Sequence, residues 1–196
     1  PLPYLGAAPH RFTREPEPER RTVDPRFLPA LALMRTFAPT SQWPEFLERA
    51  GVSLLVEEED RALLPQYGKL NNVIAFGAGF VEGESADSLA AALIKQTVHA
   101  IFFHRFWHEV SGRSCIREQA IAFGWEAVFW ASQHGLDGQT GELTALAGLH
   151  NLTLEWALDD RLDGALLAHF GYQVSCYFPG AFQSIDDEGS DYTRLY

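Results

Sequence analysis

Lys95 and His99 stand four residues apart within the run Ser88 to His108, so on a helix they share one face. Gln96 lies beside Lys95 on the same turn. Glu118 and Glu126 follow on a second run, about two turns apart and ~80° round from one another. An imidazole near carboxylates can hold a divalent cation or orient a proton. An ammonium can do neither, since it carries three donors and no acceptor.

The elements that must position these groups are legible in outline. Ser88 to His108 is the longest apolar run free of Gly and Pro. A helix apolar on nearly all sides is the central buried one. Ile116 to His134 reads as a second long helix, interrupted by Gly124, after a loop at Ser111 to Ser114. Ser85 or Asp87 can cap the central helix. Upstream, Arg26 to Thr36 reads as a short helix that tolerates Pro29 near its start. Trp43 to Ala50 reads as another, with Ser41 as N-cap, Pro44 in the first turn and Gly51 as stop. Val52 to Val56 and Asn72 to Phe76 are branched, strand-like runs. Arg61 to Pro65 opens a further strand or an irregular approach to one, and Tyr67-Gly68-Lys69 signals a turn. Gly77 to Glu84 reads as a loop. Gly141 to Asp159 is a third leucine-rich helix and Leu162 to Phe170 a fourth, with Tyr172 to Phe178 extended. The fold class expected is mostly helical α+β: a helical core with a small sheet and additional C-terminal helices.

The order helix, strands, long helix, second helix is that of a minimal zincin domain, and Tyr67 to His99 resembles the ImmA/IrrE type. That family carries T-L-A-H-E-L-G-H on its first long helix; here the stretch is Ala92-Leu93-Ile94-Lys95-Gln96-Thr97-Val98-His99. Its next helix carries E-x-A-N-x-F-A, against Glu118-Gln119-Ala120-Ile121-Ala122-Phe123-Gly124. The resemblance covers roughly residues 44 to 134. It implies a zinc centre in which two His one turn apart and a Glu hold the metal, with the motif Glu as general base. In this chain Lys95 stands for the first His and Gln96 for the base, while His99 and Glu118 keep their places. The resemblance therefore implies a vestigial site of Lys95, Gln96, His99 and Glu118 with no catalytic residue and no cofactor. Lys95 is expected to pair with Glu118 across the two helices, or to reach solvent along its stem. Glu126 is a possible further group, with an exposed position as the plainer expectation. The alternative is a metal-dependent hydrolase whose zinc is held by His99, Glu118 and a third group.

Other constellations are weaker. His104 and His108 share a face, but His99 lies ~140° away from it. Cys115 precedes the second helix without a partner base, and Cys115 and Cys176 lack the paired spacing of a structural zinc site. The aromatic series Phe102, Phe103, Phe106, Trp107, Trp125, Phe129 and Trp130 reads as core or interface. There is no nucleophile elbow, Walker A or dinucleotide glycine motif.

The 196 residues carry a formal charge of −11, which argues against nucleic acid, since phosphate contacts need clustered Lys and Arg. No run approaches the ~18 apolar residues of a membrane span. Three stretches are expected: an extended arm at 1–25 in which Arg and Glu alternate, a single globular domain at 26–180, and an acidic tail at 181–196. The whole reads as a cytoplasmic, non-catalytic, metallopeptidase-like protein. It would bind a protein partner or a second copy of itself as a structural or regulatory subunit.

Overall fold

The computed structural model describes residues 22–69, 71–106, 112–137 and 144–161, with backbone alone for 106 and 112–117. The expected fourth helix, the extended segment at 172–178, the acidic tail and most of the arm lie outside these residues.

A single 3-10 turn at Pro25–Phe27 leads into α1 (Leu28–Thr36), and a second at Ala38–Thr40 leads towards α2 (Trp43–Arg49). Pro29 and Pro44 both sit in first turns, where the missing N–H costs no helical bond. Gln42, not Ser41, occupies the cap of α2, because the Ser41 hydroxyl turns back to donate to the Ala38 carbonyl. Gly51 does stop the helix, with a φ of 66° in the left-handed region that favours glycine.

Three short strands follow: β1 (Ser53–Glu57), β2 (Gln66–Gly68) and β3 (Val73–Gly77), in the order β1-β3-β2. β3 runs parallel to β1 and antiparallel to β2. Tyr67 and Gly68 thus belong to a strand rather than to the turn read from them, which lies beyond, ending in Asn72 at φ 54°. Arg61 to Leu63 is the irregular approach. On the far side of β1, Val23 bridges to Leu54, and Leu54 N–H donates to Thr22 O at 2.8 Å. Thr22 to Asp24 thus run alongside β1.

The segment read as a loop after β3 is a helix, α3 (Ala78–Gly83). Gly77, its N-cap, and Gly79, within it, are not breakers here. A Cβ on Gly77 would stand 2.5 Å from the Arg61 carbonyl, and one on Gly79 2.7 Å from it. Their bareness lets the backbone of Arg61–Leu63 lie against the helix start, where Gly79 N–H donates to Arg61 O at 3.0 Å.

α4 (Ala86–Phe106) then runs through the centre, packed against α1, α2, β2, α5 (Gly112–His134) and α6 (Ala145–Leu158). Ser85 caps it, its hydroxyl accepting from Ser88 N–H at 3.3 Å. α5 begins at Gly112, inside the expected loop, and α6 begins later than expected, at Ala145, because Thr144 accepts from the Ala147 N–H and sets the cap. Leu89 to Ile94 are all buried, and with Phe27, Leu31, Met34, Leu54, Phe76, Phe129 and Trp130 they form one core. The fold is mostly helical with one small sheet. No helix among the described residues is long and apolar enough to cross a membrane.

Candidate functional site

α4 turns His99 towards α5, and its ring meets Glu118. His99 Nδ1 lies 2.7 Å from Glu118 Oε1, with both side chains buried. An ionised carboxylate only accepts, so the ring nitrogen facing it carries the proton. The pair fixes the tautomer and leaves Nε2 as the other face of the ring.

One turn earlier on the same face, Lys95 does not pair with Glu118, as expected, nor does it leave for solvent. Its Nζ lies 3.0 Å from Glu126 Oε2 and 4.5 Å over the Phe123 ring. The correction follows from the crossing of α4 and α5. His99 already takes Glu118, and the next carboxylate along α5 is the one the lysine reaches. Glu126 is likewise not exposed. It is fully buried, and its second oxygen sits 2.5 Å from Nδ1 of His150 on α6. Burial pushes the Glu126 carboxyl up, but Lys95's charge and the His150 hydrogen bond outweigh it and hold it below the usual carboxylate range. His150 Nε2 is 3.0 Å from the Ser88 carbonyl, back on α4. A buried chain of charge thus joins three helices.

Gln96 is buried and donates from Nε2 to the Pro65 carbonyl at 2.9 Å. That bond ties α4 to the segment entering β2, and a carboxylate in the same place could not make it. Tyr67 and Lys69, on β2 and just after it, complete the surroundings. Burial, then Glu118's charge, raises the Tyr67 phenol. Burial lowers the Lys69 amine to about 8, against the opposing pull of Glu118. His104, at the far end of α4, touches the edge of these surroundings: its Nε2 is 3.0 Å from Asn72 Oδ1 and 3.5 Å from the Tyr67 hydroxyl, and burial holds its pKa below the ordinary imidazole value. His108, Cys115 and Cys176 fall outside the described side chains.

His99 and Glu118 are two groups of the kind that hold zinc, where zinc sites use three or four, and Lys95, one turn earlier on α4, is paired with Glu126. Among the described residues, no three His, Cys, Asp or Glu side chains gather as a metal site.

Three participants escaped the sequence reading: His150, Lys69 and Tyr67. For His150 a signal existed. It lies three or four residues from Leu146, Ala147, Thr153 and Leu154, all on the buried stripe of α6. A lone titratable residue on an apolar stripe asks for a buried partner. For Lys69, in a turn, there was none.

Compared with known proteins, the chain matches no family model, no curated protein and no solved structure.

Proposed function

We propose that the chain is a zincin-like, ImmA/IrrE-type protein without a hydrolytic centre, serving as a binding, structural or regulatory subunit in a larger assembly. The observation that carries this reading is the Lys95–Glu126 pair. An ammonium 3.0 Å from a fully buried carboxylate stands where the resemblance puts the first zinc-binding His. Gln96 supports it, since its amide holds Pro65 in the seat of the general base. The element order of strands, long helix and second helix supports the family comparison as well. The partner would be another protein or a second copy, in the cytoplasm, and the acidic charge of the chain speaks against nucleic acid.

The test is metal analysis of protein purified without chelator, beside the Lys95→His variant. The native chain should hold no stoichiometric zinc and cleave no peptide. The variant supplies the missing donor next to His99 and Glu118, and should gain zinc. A variant that gains none would sink the zincin-like geometry. The second reading, a hydrolase with a rearranged ligand set, is favoured by the closeness of His99 and Glu118 at 2.7 Å. Stoichiometric zinc in the native protein, lost on His99→Ala, would establish it.

A further inference from the structure

His150 faces an acceptor on both sides of its ring. Nδ1 is 2.5 Å from the Glu126 carboxylate and Nε2 is 3.0 Å from the Ser88 carbonyl. A neutral imidazole has one donor, so one nitrogen would point a lone pair at an oxygen. A protonated Glu126 could donate instead, but Lys95 stands 3.0 Å from that carboxylate and keeps it ionised. With the carboxylate ionised, two N–H donors are needed on the ring. We propose that His150 is held as an imidazolium, and that this buried cation latches α6 onto α4 and α5 through the same carboxylate that neutralises Lys95.

The surroundings agree. His150 is 1 % exposed, so water does not satisfy either nitrogen. The Trp130 ring of α5 lies 4.7 Å from it, centroid to centroid, tilted by 47°. The neighbouring charged groups on the packed elements are Lys95 on α4, Glu126 on α5, and the Asp87–His134 pair beyond Trp130. Glu84 holds the other end of the joint: it accepts from Leu146 N–H at 2.9 Å and from the Thr144 hydroxyl, at the start of α6. The helix is therefore fastened at its first turn by one carboxylate and at its middle by another. Only the middle fastening runs through a side-chain cation. Because Glu126 serves both Lys95 and His150, the seating of α6 is tied to the charge state around Lys95. This inference rests on the geometry of three helices and stands whether or not the chain is zincin-like.

The deciding measurement is long-range nitrogen–proton NMR of the His150 ring in the full chain at neutral pH. Both ring nitrogens should show the signature of protonated nitrogen. A bare nitrogen on either side would overturn the proposal. A second measurement is amide hydrogen exchange in H150Q, whose donors sit on one amide nitrogen and cannot face the two acceptors from both sides as the ring does. Exchange should accelerate roughly ten- to hundredfold across Leu146 to Leu154, while Leu89 to Ile94 in α4 keep their protection. Equal acceleration in both helices, or none, would refute the latch. If H150Q does not fold, the native ring spectrum alone decides.

Discussion

At the scale of single residues, the centre is made of substitutions that only make sense in pairs. Lys95 is partly shielded and Glu126 wholly so, and removing one member leaves the other's charge without water. Lys95→Met should cost on the order of 3 kcal/mol in urea unfolding, the low end for a broken buried pair, because Glu126 keeps His150. Lys95→Arg, which keeps a cation beside Glu126, should lose much less. A Lys95→Arg variant as unstable as Lys95→Met would show that the ion pair is not the source of the cost. Gln96 offers a sharper contrast. Gln96→Glu sets a carboxylate against the Pro65 carbonyl and removes that carbonyl's donor. The expected loss is about 1–3 kcal/mol at neutral pH, and it should shrink in acid, where a protonated glutamate can donate. Thermal melts across pH would check this; a loss that does not change with pH would contradict it.

At the scale of elements, glycine separates two kinds of helix position. Gly77 sits at the start of α3 with Arg61 O and Leu63 N where a Cβ would go, at 2.5 and 2.6 Å. Those neighbours are backbone, so they cannot move aside cheaply. Gly77→Ala should destabilise by about 1–3 kcal/mol through overpacking. Gly124, in the middle of α5, has nothing within 4 Å of the same construction. Gly124→Ala should stabilise by roughly 0.5–1 kcal/mol, since only helix propensity changes. Chemical denaturation of the two variants, with opposite signs, is the check. The same glycines mark where the sequence stopped being legible. β1, β3 and α4 follow from branched or continuously apolar runs, and Gly51 ends α2 as its position suggests. α3 was read as loop because glycine weakens a helix locally, while the reason for Gly77 and Gly79 lies in a segment fourteen residues or more away. The site divides in the same way. Spacing along α4 placed Lys95 and His99 on one face correctly. Which carboxylate each would meet depends on how α4 crosses α5, which is a matter of helix packing and not of local spacing.

For the whole molecule, two buried groups shape the stability curve from opposite ends. The Glu126 carboxyl is held below its ordinary value of 4.5 in the folded chain. Its depressed value means the stabilisation is present above the unfolded pKa and is lost as pH falls through the folded one, so the acid limb below 4.5 should carry it. Lys69 acts in the other direction. Its amine is lowered to about 8 from 10.5, so between those values the unfolded chain binds the proton that the folded chain has given up. Unfolding free energy then rises with pH across that interval. At about 1.4 kcal/mol per unit, the rise attributable to Lys69 comes to roughly 3.5 kcal/mol. The measurement is urea unfolding at intervals from pH 7 to pH 11 on the native chain and on Lys69→Met. The native chain should gain stability through the window from about 8 to 10.5, and the variant should show no such gain. A variant with the same slope would place the titrating group elsewhere than at the buried Lys69 amine.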